Sequence, residues 1–132
     1  MSNWTFAVRR VRNKPNFFKA DRVSSALFKD AKGVSANRDD DRLLTEIIQD
    51  EETLHNYYKE LSQNDSTEHK LKAIVSVDRA VINEKGILIE KDPLKENVHH
   101  IVLKKDEETN LLTDSQAKAL ARNSKFIKKY ED

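Results

Sequence analysis

The chain has 132 residues, of which 37% are hydrophobic and 36% charged, with 24 Lys and Arg against 23 Asp and Glu for a net charge of +1; this composition suits one modest domain with a small core and a large charged surface. With no cysteine and only two glycines, disulfide frameworks, thiolate metal sites, cysteine nucleophiles, dinucleotide fingerprints and phosphate loops are excluded, since each needs those residues in number. No apolar run approaches the ~20 residues of a membrane span and Met1 to Arg10 has no continuous apolar core, so the expected location is the cytoplasm.

Near the amino end, Trp4, Phe6, Val8 and Arg10 share one parity while Thr5, Ala7, Arg9 and Val11 share the other, which predicts a strand over 4–12. Asn13 to Asn16 is turn chemistry around Pro15, and Phe17 and Phe18 are expected to plug the core. The segment from Arg22 to Phe28 reads either as a short strand or as a helical turn, and Lys32 to Ser35 as a turn into another extended piece. Asp39, Asp40 and Asp41 offer N-cap oxygens to a following helix. Apolar residues from Leu43 to Leu61 recur at spacings of three and four, broken by Glu51, and predict an amphipathic helix over 42–61.

The polar run Ser62 to Thr67 reads as a loop, and Lys70 to Asp78 as a strand with one buried face carrying Leu71, Ala73, Val75 and Val77. A helical turn over 79–83, a break at Gly86 and an extended piece at 87–89 lead to Asp92-Pro93, where proline ends the ladder. Val98 to Lys104 is a further strand, whose alternation sends His99 and His100 to opposite faces. Thr113 and Gln116 match a capping box that starts a helix burying Ala117, Leu120 and Ala121, with Arg122, Lys125, Lys128 and Lys129 gathered towards its carboxyl end. The pattern leaves open whether Phe126, Ile127 and Tyr130 continue that helix. No repeat and no linker divides the chain, so residues 1–132 are expected to form a single α+β domain: a small mixed or antiparallel sheet packed by two main helices, a single layer pair.

The near-zero net charge hides opposed blocks. Residues 1–38 carry nine Lys/Arg and two Asp (+7), residues 39–68 two basic and ten acidic residues (−8), and residues 69–132 thirteen basic and eleven acidic (+2). In the first block, Arg9, Arg10, Arg12, Lys14, Lys19 and Arg22 stand among Trp4, Phe6, Phe17 and Phe18, followed by Ser24 and Ser25. Guanidinium forks bind phosphate, hydroxyls add neutral donors and aromatic faces stack on bases, which points to a nucleotide or a nucleic-acid backbone. The competing reading pairs these arginines with the acidic helix and places the aromatics in the core. His100 is the candidate for proton transfer, because an imidazole titrates near neutrality. His55 and His69 read as solvent residues. The Asp39–Asp41 run lacks the spacing of a calcium loop, and Asp50, Glu51 and Glu52 read as a solvated helix face with no chemistry assigned. No metal site and no cofactor are expected.

The segment Arg22-Val23-Ser24-Ser25-Ala26-Leu27-Phe28 resembles a group of small bacterial proteins of no established activity. In that group an arginine-bearing first strand, here Phe6 to Val11, precedes an R-V-S-S-x-x-F segment, a G-x-S step (Gly33-Val34-Ser35), a strand like Ala73 to Val77 and a D-P-x-x-x-N-x-x-H stretch (Asp92, Pro93, Asn97, His100). Val98 and His99 stand where the group tends to carry proline and a small residue. The resemblance implies a bacterial intracellular protein and draws Arg9, Arg10, Arg22, Ser24, Ser25, Ser35 and His100 into one set, without a catalytic assignment.

The functional expectation is a binding or accessory domain whose basic first third recognises a phosphate-bearing ligand or an acidic protein partner. One alternative is a small metal-independent enzyme on RNA or a nucleotide, ribonuclease-like or ADP-ribosyl-transferase-like, with His100 moving the proton and Arg9, Arg10 and Arg22 clamping phosphate. The other is an interaction module that docks a basic partner, or a second copy, on the acidic helix 42–61.

Overall fold

The computed structural model describes residues 3–63 and 65–131, so Met1 of the opening segment and Asn64 of the expected loop lie outside the described residues. The first period-2 segment forms β1 (Phe6–Arg12). After a 3-10 turn at Pro15–Phe17, β2 (Phe18–Lys19) and β3 (Arg22–Val23) make a small two-stranded sheet. A second 3-10 turn at Ser25–Phe28 then buries Leu27 and Phe28, so the ambiguous segment is in turn a strand and a helical turn. The chain continues through β4 (Val34–Arg38), α1 (Leu44–Ser62), β5 (Leu71–Asp78), α2 (Arg79–Glu84), β6 (Leu88–Lys91), β7 (His100–Lys104), α3 (Asp114–Arg122) and β8 (Lys125–Lys129).

Six strands pair antiparallel in the order β6-β7-β4-β1-β5-β8, giving an α+β fold. The two main helices, α1 and α3, lie on opposite faces. On one face Ala7, Val11, Val75, Ala36 and Ile101 meet Leu27, Phe28, Ile82 and Leu120. On the other, Val8 and Ile74 meet Ile47 of α1, with Phe6, Ile48 and Tyr130 around them. Each fully buried aliphatic side chain of this kind contributes about 2 kcal/mol. The single buried face expected for β5 is therefore corrected: Ile74 and Ser76 are buried on its second face because α1 covers it.

Two further expectations are overturned. The aspartate run does not cap α1, whose N-cap is Leu43 without a side-chain bond. Asp39 Oδ1 instead accepts from the backbone N–H of Thr5 (2.7 Å) and Phe6 (3.2 Å), anchoring the start of β1, and Asp40 and Asp41 take left-handed φ of 43° and 60°. Aspartate tolerates that conformation, and the part-buried donors at the start of the strand need an acceptor that the helix end can find in water. Lys125, Lys128 and Lys129 belong to β8 rather than to the end of α3, as do Phe126 and Ile127; α3 stops at Arg122 and Asn123, and the lysines cover an edge strand. The capping box at Thr113 and Gln116 is present in both directions.

Candidate functional site

The site begins with a fork in the sheet. β1 and β4 pair only at Ala7–Arg38 and Val8–Asn37, although β1 runs on to Arg12 and β4 begins at Val34. Continued register would oppose Arg10 to Ser35. Instead, the Arg9 side chain enters the gap, with Nε donating to the Leu27 carbonyl (3.1 Å) and Nη1 to the Ser35 carbonyl (2.6 Å). The guanidinium thus satisfies the Ser35 carbonyl that the diverging β1 backbone no longer reaches, and ties it to the 3-10 turn through Leu27. Burial depresses its pKa to about 10, against the raising influence of Asp30.

Above the fork lies a cleft of about 410 Å³ walled by β1, β4 and α1 and reaching His100 on β7. Strand alternation places Arg10 and Arg12 on the α1 side of β1, and the register Asn37–His100 puts those side chains on the same face. Helical spacing does the same for α1, where Glu51, His55 and Tyr58 fall within two turns on the inward side.

Glu51 sits on the cleft floor, 1% exposed. Its Oε1 is 3.2 Å from Arg10 Nη1, and its Oε2 accepts from Asn37 Nδ2 at 2.6 Å. Asn97 Nδ2 donates in turn to Asn37 Oδ1 at 2.5 Å. Burial pushes the Glu51 carboxyl pKa above 4.5, opposed by Arg10 and Asn37. Glu51 is therefore not part of a solvated helix face, because an amphipathic stripe that reaches the fork meets an arginine and an asparagine where the rest of the sheet offers aliphatic carbon.

His55, one turn further along α1, is half-buried in the cleft wall, and its pKa is lowered by burial and then by Arg10, Lys59, Arg12 and His69. His69 lies 3.3 Å from Arg12 Nη1 through Nδ1. Neither is the free solvent residue expected. Tyr58 donates to Glu96 and lies under Arg10, with Cζ 5.7 Å from the ring centroid; burial first and the Glu96 bond second push its hydroxyl pKa up to about 12.

His100 lines the same cleft. Its Nδ1 is 3.0 Å from the Asp92 carbonyl and 3.1 Å from Asp92 Oδ2. A carbonyl only accepts, so Nδ1 carries the hydrogen and Nε2 is the nitrogen left for a ligand. His99 points elsewhere, with Nδ1 2.6 Å from Asp40 Oδ2, as the strand alternation predicts.

Of the expected set, the fold brings together Arg9, Arg10, Ser35 and His100 and separates Arg22, Ser24 and Ser25. Those three line a smaller depression with Lys19, Lys118 and Arg122 beside α3, because the two-stranded sheet folds over the opposite face. Ser24 Oγ donates to the Asn16 carbonyl and closes the turn. Arg9 is held by two carbonyls, so its part as a phosphate clamp passes to Arg10 and Arg12. Sequence reasoning missed Glu51, His55, Asn37 and Asn97. The signal for the first was a carboxylate inside an apolar stripe, between Ile47 and Leu54.

Among the described residues no group of three His, Asp or Glu side chains could hold a metal ion, and no helix is long and apolar enough to cross a membrane. Compared with known proteins, the chain matches no protein-family model, no curated protein and no solved structure.

Proposed function

We propose that this protein is a cytoplasmic domain that binds a phosphate-bearing ligand, a nucleotide or a nucleic-acid strand, in the cleft between β1, β4, β7 and α1. One observation carries the reading: Arg10, Arg12, His55 and His100 line one concavity in which, among the described residues, Glu51 is the single carboxylate. Glu51 holds one edge of the Arg10 fork through Nη1, which leaves the other N–H donors of the guanidinium for a ligand. Tyr58 and Phe17 add aromatic faces to the lining, of the kind on which bases stack. A cleft of about 410 Å³ admits a small ligand or an extended strand rather than the face of a folded acidic protein.

The test is a salt titration with a fluorescent single-stranded oligonucleotide. The expected log–log slope is about −0.7 for each phosphate neutralised, and Arg12→Ala should weaken binding about tenfold and flatten the slope by about that unit. Arg22→Ala, on the other side of the sheet, should leave both unchanged. Absence of binding at low salt would remove the reading.

A further inference from the structure

The cleft holds more than phosphate affinity requires. Two imidazoles approach it from different elements: His55 from the helix wall and His100 from the sheet. His100 is fixed by Asp92 with its hydrogen on Nδ1, so that Nε2 is the available atom. The guanidiniums of Arg10 and Arg12 lie in the same cleft, and Arg10 is braced from below by Glu51. A pair of proton carriers around a phosphate clamp is the equipment for phosphoryl transfer to an internal nucleophile.

We infer that this cleft cleaves single-stranded RNA by transesterification, with His55 and His100 as the two proton carriers and Arg10 and Arg12 as the phosphate clamp. The inference rests on the phosphate-binding reading and specifies its substrate. RNA brings its own nucleophile, the 2′-hydroxyl. That oxygen forms a bond to phosphorus as the P–O5′ bond breaks and its electron pair leaves on O5′. His55 accepts the proton of the 2′-hydroxyl, and His100, entering the step as the imidazolium with Nδ1–H still held by Asp92, delivers its Nε2 proton to O5′. The products are a 2′,3′-cyclic phosphate and a 5′-hydroxyl, and the two rings return to their starting protonation by exchange with water. Arg10 and Arg12 hold the non-bridging oxygens, whose charge grows in the transition state. Glu51 is a positioning residue, acting through Arg10.

The electrostatic surroundings of His55 agree with its role as acceptor. Burial, Arg10 and Arg12 of β1, Lys59 of its own helix and His69 of the turn before β5 all favour the neutral ring. A single strand, unlike a duplex, can turn a base outward onto Tyr58 or Phe17 and present the sugar edge to the imidazoles.

The experiment incubates the full chain with a short mixed-sequence RNA in the presence of a chelator, beside an all-deoxy oligonucleotide of the same sequence. The expected result is cleavage of the RNA to fragments ending in 2′,3′-cyclic phosphate, with the DNA bound and intact. His55→Gln and His100→Gln should each lower the rate by about 100-fold or more at an unchanged thermal transition. Should either variant unfold, the pH–rate profile of the unaltered protein decides: two limbs support the pair, and a profile with one limb or none overturns it. RNA that is bound but uncut, or cut by both His variants as fast as by the unaltered protein, overturns the inference and leaves the phosphate-binding reading standing. If neither oligonucleotide binds at low salt, that reading fails and the inference with it.

Discussion

Glu51 of α1 and Arg10 of β1 face each other at 3.2 Å under the cleft, the carboxylate 1% exposed and the arginine side chain 25% exposed. The pair joins the acidic block to the basic block, so part of the charge opposition read in the sequence is resolved inside the fold. A buried carboxylate stripped of its cation costs about 3–5 kcal/mol, less where solvent reaches the partner. Arg10→Met is therefore expected to destabilise the protein by about 2–3 kcal/mol, and the double variant Arg10→Met with Glu51→Leu should recover most of that. Urea denaturation of the three variants measures it. Equal losses in the single and double variants would show that the pair is not the cause.

The same carboxylate makes stability depend on pH. Burial is the dominant influence and raises its pKa in the folded state above 4.5. The folded protein thus holds the proton more tightly than the unfolded chain. This contribution is complete below the unfolded value and is lost as the pH rises through the folded one. Compared with Glu51→Gln, the parent protein should lose stability steadily from pH 4.5 upward, as read by denaturation at a series of pH values. A difference that grows in the opposite direction would refute the assignment.

His55 carries the opposite sign. Its folded pKa lies below 6.5, chiefly through burial, so its contribution to stability is present above 6.5 and is lost as the pH falls through the folded value. A bound phosphodiester offsets part of that depression by stabilising the charged ring. Oligonucleotide affinity should therefore strengthen as the pH is lowered below 6.5, with proton uptake on binding, and His55→Gln should flatten the dependence. Calorimetry in buffers of different ionisation enthalpy counts the protons taken up.

Arg9 is a structural strut at the mouth of the same cleft. Its two bonds, at 3.1 and 2.6 Å, go to carbonyls of different segments, Leu27 and Ser35. A lysine keeps the charge but has no fork to span both acceptors. Arg9→Lys should lower stability by about 2 kcal/mol and open the β1–β4 fork to hydrogen exchange. Unchanged protection of the Ser35 and Asn37 amides would argue against the strut.

The glycines separate backbone strain from packing. Gly33 has φ +95°, and an added Cβ would come within 2.5 Å of Val102 Cγ1 and 3.3 Å of the Leu103 carbonyl. Gly86 has φ +67°, and its Cβ would meet nothing within 4 Å. Gly86→Ala should cost about 1 kcal/mol for the left-handed conformation alone, while Gly33→Ala adds overpacking of about 1–3 kcal/mol. Thermal unfolding of both variants gives the comparison.

Local physics was readable along the chain. The alternation in 4–12, 70–78 and 98–104, the three-and-four spacing of 42–61 and the capping box at Thr113 each depend on neighbours within a turn or a strand pair, and all of them became the expected elements. The opposite orientation of His99 and His100 followed from strand alternation alone. Within the expected site, Arg9, Arg10, Ser35 and His100 do meet.

Tertiary structure alone decided which of the remaining charges share the cleft. Arg22, Ser24 and Ser25 lie close in sequence to the first strand, yet the chain reverses through a small second sheet and carries them to the other face. Glu51 reads as one more acid on an acidic helix until α1 lays it over the one stretch of sheet where β1 and β4 part. Burial of a charge depends on what another element places opposite it, here Arg10 and Asn37, 41 and 14 residues away, and no local periodicity encodes that meeting.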